Sequence, residues 1–197
     1  NFNTVVGFEY QKQNYSTLTQ VKYVSSITFK NGKVTFDYQT DRQDASNGAK
    51  RLKRVNVWAE ENVGDYQLVR FFELAHSYFN CADGPTQSEY TVSSVHASTD
   101  WRLKRLRLDS VTEKSPANHA LPPYSLTYYE DVPLPIYGAY AQDYWGFSNG
   151  ASTNQNLLLW DAPNSSIEPS RQYGANREVS FTHALAGTLQ QMTYPTQ

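Results

Sequence analysis

Hydrophobic residues fall at every second position on either side of Asn31-Gly32: Ile27 and Phe29 before it, Val34, Phe36 and Tyr38 after it. Side chains two apart share one face of a strand, so this run predicts an antiparallel hairpin. Asn-Gly supplies both positive φ angles of a type I′ turn. The same alternation predicts strands over 49–58 and 66–78, joined by a turn at 60–65, a short strand at 88–95, a strand within 101–111, and another in the YSLTYYEDV run from Tyr124. Between them lie a polar loop at 41–49 with Asn47-Gly48 as a second turn signal, and a break at 115–123 set by Pro116, Pro122 and Pro123. Pro133 and Pro135 force an extended connection into 137–150, and 151–177 reads as a long polar excursion whose apolar cluster is 157–160. Such loops are where binding surfaces are expected.

A second pattern crosses the first. A leucine, an apolar residue three positions on and another two beyond recur at Leu18-Val21-Tyr23, Leu52-Val55-Val57, Leu103-Leu106-Leu108 and Leu189-Met192-Tyr194. The last two members of each set share a strand face, and the leucine is out of phase with them. A turn or bulge is needed to bring it round. Gly187 is expected to provide that turn in the last copy, as Gly32 does in the hairpin, and Leu18, Leu52, Leu103 and Leu189 are the expected anchors of successive strand units. The run LKRLRL also fits a helix, which periodicity in so short a stretch does not exclude.

Composition sharpens the class. With 15 Tyr, 14% aromatics and one Met in 197 residues, the chain favours strands over helical bundles. The expected fold is all-β: antiparallel strand–turn–strand units in an extended sheet, sandwich or open shell, with long irregular loops. One domain over 1–197 is expected, with a hairpin-rich half at 1–111, Pro- and Asn-rich loops at 112–177, and a closing strand unit at 178–197. The net charge of −2 offers no general attraction to nucleic acid or anionic membrane, and the basic clusters at 50–54 and 102–107 read as solvated strand faces. Cys81 is single, so no intrachain disulfide forms. No apolar run is long enough for a helical membrane span. The abrupt start and end suggest a segment of a longer protein.

The chemistry on offer is sparse. Gly146-Phe-Ser-Asn-Gly150 matches the Gly-x-Ser-x-Gly pattern, and Asp161 and His183 follow Ser148 in triad order, yet a polar run replaces the helix a nucleophile elbow requires. The adjacent carboxylates Glu60-Glu61 and Glu130-Asp131 point to opposite strand faces, which does not suit a glycosidase pair. His76, His96, His119 and His183 show no metal-ligand spacing, so no metal or cofactor is expected, and His76 reads as a packed strand histidine. A non-enzymatic chain is therefore expected. Tyr137, Tyr140, Asp143, Tyr144, Trp145, Phe147 and Asn149 crowd one short segment, and a carbohydrate-binding surface is the alternative they suggest, the plainer reading being rings that anchor a loop to a β core.

The hairpin ITFKNGKVTFDY with its following Asp-Arg-Gln-Asp, the strand RLKRLRLDSV, the block AQDYWGFSNG and the closing ANREVSFTHALAGTLQQMTYPT occur in that order. Together they resemble the rearrangement-hotspot (RHS) and YD-repeat-like group of large secreted or surface proteins of Bacteroidetes. The resemblance runs from about Val21 onward. That group commonly carries an aromatic where this chain has Ser148, which speaks against a serine nucleophile. The resemblance implies a structural shell, stalk or display scaffold in an exported protein. Its implied partners are other domains of the same polypeptide, surface-complex proteins or glycans, and it implies no catalytic residues.

Overall fold

A computed structural model describes residues 21–45, 49–82, 100–157 and 174–195. Leu18, the Asn47-Gly48 turn, the strand expected at 88–95, His96, Asp161 and all but Leu157 of the apolar cluster lie outside them.

Eight strands carry the fold: β1 (Ser26–Phe29), β2 (Gly32–Gln39), β3 (Arg51–Asn62), β4 (Asp65–Ala82), β5 (Lys104–Lys114), β6 (Tyr124–Tyr128), β7 (Leu134–Pro135) and β8 (Leu189–Thr193). Helical structure among the described residues is one turn, α1 (Phe181–Ala184), and a 3₁₀ turn at Trp101–Leu103. The fold is thus all-β, and LKRLRL belongs to a strand. The sheet is open, in the order β1-β2-β3-β4-β5-β6-β8, with antiparallel neighbours. β7 lies off this path, parallel to the end of β4. Chain order and spatial order coincide up to β6, as stacked hairpins require.

Register explains the two sequence patterns. Paired residues lie on one face, and the ladders link Ile27 to Val34 and Val57, Phe36 to Val55 and Phe72, and Leu74 to Val111 and Tyr124. Leu126 continues to Met192. One face of the sheet is therefore largely apolar along these ladders, and Arg70 and Glu113, two charged residues on it, are joined by an ion pair of 3.1 Å. The opposite face is a polar lattice. Buried Asn56 donates to Thr35 Oγ1 (3.1 Å) and Asp37 Oδ2 (3.0 Å), and Trp58 Nε1 also donates to Thr35 (3.0 Å). The Arg54 guanidinium covers the ring of buried Phe71 at 3.4 Å, and Lys114 pairs with Glu73.

The out-of-phase leucines are resolved by bulges. Asp37 faces Arg54 but Tyr38 faces Leu52, so Lys53 is an extra residue in β3. Thr127 faces Gln191 but Tyr128 faces Leu189, so Gln190 is the extra residue in β8. In both copies the bulge immediately follows the leucine, setting Leu52 opposite Tyr38 and Leu189 opposite Tyr128. The phase change in the last copy therefore sits at Gln190, and not at Gly187, which has φ +70° two residues before Leu189. Leu103 is brought round differently, by the 3₁₀ turn that precedes β5. Leu52 and Leu103 are half-buried, and Leu189, on an edge strand, is 48% exposed.

The hairpin turn is shifted by one residue from expectation. Phe29 pairs with Gly32, so Lys30 and Asn31 form the loop and Asn31 alone takes a left-handed φ of 67°. Gly32 is a strand residue, and its lack of a side chain serves packing. A Cβ there would lie 2.6 Å from the Trp58 carbonyl oxygen and 2.9 Å from the Phe29 ring.

β4 is the longest strand at 18 residues, and its two neighbours are staggered along it. β3 pairs with Asp65 through Glu73 and β5 with Phe71 through Asn80. His76, in the second half, is half-buried with Nδ1 3.1 Å from the Leu74 carbonyl and 3.2 Å from Arg51 Nη1. The packed, hydrogen-bonded histidine expected from sequence is what the fold contains.

Two outcomes are expected. Gly32→Ala should lower stability by about 1–3 kcal/mol in a urea melt, because the overpacked Cβ meets backbone that cannot move aside. Acid should also destabilise the sheet. The Lys114 ammonium holds Glu73 below the usual carboxylate range, and the Arg102 guanidinium does the same for Asp100. Burial pushes Asp44 up, but hydrogen bonds from Arg42 and the Leu106 N–H outweigh it and leave Asp44 lowered. Burial, reinforced by Arg51, lowers His76. For each group the stabilisation is complete above its unfolded-state pKa, about 4 for the carboxylates and 6.5 for His76, and is lost as pH falls through the lower folded value. Urea midpoints should therefore decline from pH 7 to pH 3, and Asp100→Asn should flatten the acid limb.

Candidate functional site

After β6 the chain leaves the sheet and builds a loop module against the end of β4. Pro135 cannot donate to a ladder, and the short parallel strand β7 is extended instead by Ile136 N–H to the Ala82 carbonyl (2.9 Å) and Tyr137 N–H to the Arg102 carbonyl (3.0 Å). These bonds seat Ile136, Ala139 and Ala141, all buried, against Leu103.

From this base projects a tight turn. Gln142 and Ser148 form an antiparallel bridge, and Asp143 N–H donates to the Phe147 carbonyl at 2.9 Å. The Asp143 side chain, 3% exposed, accepts from both Trp145 N–H and Phe147 N–H at 2.9 Å through Oδ1. An aspartate bonding the backbone just ahead of it is the Asx turn, and here it fixes two amides that would otherwise lack partners. Gly146 takes φ +90°, which a side chain there would oppose. Arg177 locks the turn from behind: Nε and Nη2 donate to the Asp143 carbonyl, and Nη1 to the Leu157 carbonyl (2.9 Å).

Two further buried side chains stitch the module together. Asn149 Nδ2 donates to the carbonyls of Asn176 (2.9 Å) and Glu178 (3.0 Å), and its Oδ1 accepts from Ala151 N–H (3.1 Å). Asn154 Nδ2 donates to the carbonyls of Tyr140 (3.0 Å) and Asn176 (2.9 Å), and its Oδ1 accepts from Asn176 N–H (2.9 Å). Each carboxamide substitutes for ladder partners that irregular backbone does not have.

The sequence-predicted residues thus divide. Asp143 and Asn149, expected to bond a ligand, are buried and bonded to backbone. Tyr137 stacks against Trp101 at 5.3 Å beneath Arg105 and lines a cleft with Arg105, Gln142, Gly146 and Ser148 of the turn, and the Tyr140 carbonyl is held by Asn154. Tyr144, Trp145 and Phe147 are exposed by 55, 74 and 59%, so these rings do not anchor the loop to the core. Tyr144 and Trp145 meet edge to face at 6.4 Å, with Arg177 behind Tyr144. Sequence reasoning missed Asn154 and Arg177. The density of Asn around 149–156 was the available signal, and it marks internal stitching.

Ser148 lies in the bridge to Gln142, with turns and no helix after it through Leu157, so the strand-to-helix elbow is absent. It shares with His183 the wall of a largely apolar cavity of about 220 Å³, floored by Pro135, Ile136, Ala139 and Ala141. His183 Nδ1 is 2.7 Å from Ser180 Oγ, and its ring covers Gly150 so closely that a Cβ there would lie 2.3 Å from Nε2. Among the described residues no group of His, Cys, Asp or Glu is arranged to hold a metal ion, and no helix is long and apolar enough to cross a membrane.

Asp143→Ala should cost about 1–3 kcal/mol, since it orphans two amides in a part-buried turn. Asp143→Asn retains an acceptor oxygen and should cost less. Trp145 amide exchange, followed by NMR, should accelerate in the first variant well beyond the second.

Comparison with protein-family models, with curated proteins and with solved structures gave no match.

Proposed function

We propose that this chain is a non-enzymatic structural module of an exported protein, a wall segment in a larger β shell or display scaffold of the RHS and YD-repeat-like type. The observation that carries the reading is the open sheet itself. Strand–turn–strand units follow one another in chain order up to β6, one face is largely apolar, and both edges are unpaired among the described residues. The strands contact their ladder neighbours, β7 and the 3₁₀ turn, with no second sheet packed on them among the described residues. Repeat-built walls have this form, because each unit buries its apolar surface with the help of adjoining chain. The sequence resemblance supports the same reading, as do the polar side chains of the loop module, which are used for internal bonds.

The purified chain should fold cooperatively and remain unlabelled by a fluorophosphonate probe under native conditions. Labelling at Ser148, abolished by Ser148→Ala and by His183→Ala in still-folded variants, would replace the scaffold with a hydrolase.

A further inference from the structure

We infer that the cleft beside the turn at 143–147 is a binding site for a sugar acid, a pyranose ring carrying one carboxylate, and that Arg105 takes the carboxylate. This goes beyond the scaffold reading, which requires no ligand, and stands on different observations.

The cleft has a volume of about 290 Å³, at the lower end of small-ligand sites. Arg105 reaches it from β5, and Gln142 and Ser148 from the bridge that closes the turn. Asp143, Asn149, Asn154 and Arg177 are spent on internal bonds, and side chains with polar atoms left over line this cleft.

The charge of Arg105 is the first observation. Arg42, Arg51, Arg70, Arg102 and Arg107 are each paired with a carboxylate, Arg54 lies on Phe71, and Arg177 is used by the carbonyls behind the turn. Arg105 is half-buried and has no carboxylate partner among the described residues. Its Nη1 donates to the carbonyls of Arg102 (3.0 Å) and Lys104 (2.9 Å), and its guanidinium carbon lies 4.6 Å from the centre of the Tyr137 ring. These contacts position the guanidinium and leave Nε and Nη2 without a hydrogen bond among the described residues. That pair of donors is the fork that takes a carboxylate bidentately. A half-buried cation held in this way is stabilised by a ligand that brings the missing counter-charge.

Neutral groups specify the rest of the ligand. Gln142 Nε2 donates to the Ala139 carbonyl (2.8 Å), which leaves Oε1 to accept, and Ser148 Oγ has no hydrogen bond among the described residues. An acceptor and a hydroxyl beside a guanidinium match hydroxyls flanking a carboxylate. Pro135, Ile136 and Ala139 supply an apolar wall for the C–H face of the ring. The lining backbone suits such a ligand better than a peptide. The N–H groups of Ile136, Tyr137, Ala139, Gln142 and Gly146 are bonded within the protein, so an extended chain would find few main-chain donors to join. A single guanidinium suits one negative charge, where a nucleic acid calls for several.

The test is an NMR titration of the isotope-labelled full chain with D-galacturonate and D-glucuronate, against D-galactose, D-glucose, acetate and sulfate, with oligogalacturonate as the polymeric form. The expected result is saturable shifts of the Arg105 Nε–H and of the Gln142 and Ser148 amides, with affinity about tenfold or more above that for the neutral sugars. Arg105→Lys keeps the charge without the fork and should weaken binding about tenfold or more, and Ser148→Ala about threefold to tenfold. Circular dichroism and urea midpoints check that both variants fold. Ser148→Ala removes no bond of the fold, and the Arg105 Nε–H reports the carboxylate in the unaltered chain, so the test stands if Arg105→Lys does not fold. Binding of the oligomer as well as the monosaccharide acids supports a site for residues of an acidic polysaccharide; binding of the monosaccharide acids alone supports a site for the free sugar acid. Absence of saturable shifts in the folded chain overturns the inference. So does equal affinity for the neutral sugars, equal affinity for acetate or sulfate, or binding that both substitutions leave intact.

Discussion

Period-two alternation, carried from strand to strand by register, is the constraint on which this protein depends. Each ladder sets an apolar residue opposite another, so the apolar character of Ile27 passes through Val34 to Val57, and that of Leu74 through Val111 to Tyr124. A slip of one residue would exchange the faces of a whole strand. The bulges at Lys53 and Gln190 are therefore part of the register. They absorb the third residue in the leucine pattern without inverting the remainder of the strand. The hydrogen-bonded lattice of Thr35, Asp37, Asn56 and Trp58 on the other face adds directional bonds to the same alignment.

Much of this was legible in the sequence. Alternation gave the β class, the hairpin and the positions of β3, β4 and β5, and the leucine spacing announced that a bulge or turn must be present. The device itself was hidden. A bulge depends on which residue of the neighbouring strand is opposite, and that is a property of two strands. The shift of the hairpin turn has the same origin. Asn-Gly has the right local chemistry for its own two-residue loop, but Gly32 is held in the strand by pairing with Phe29 on one side and Ala59 on the other.

The loop module was less readable, for a physical reason. Asp, Asn and Arg serve equally well as ligand contacts or as internal caps, and burial alone distinguishes the uses. Asp143, Asn149, Asn154 and Arg177 are consumed by backbone groups that have no ladder to join. Ile136, Ala139 and Ala141 pack with Leu103 without the turn's aromatics, and the rings of Tyr144, Trp145 and Phe147 are left exposed. Aromatic density identified the segment, and its division into buried polar and exposed apolar residues reverses what composition suggests.

The stagger along β4 has a mechanical consequence. Phe71, Phe72 and Glu73 are the positions of that strand paired on both sides, so the sheet is two offset flaps joined at a three-residue overlap. A load pulling β1 away from β8 passes through this clasp, where Phe71 is buried under Arg54 and Glu73 is held by Lys114. Farther along that path the β5–β6 ladder holds by two paired positions, Ser110 with Ser125 and Val111 with Tyr124, and it sets the yield strength of the sheet.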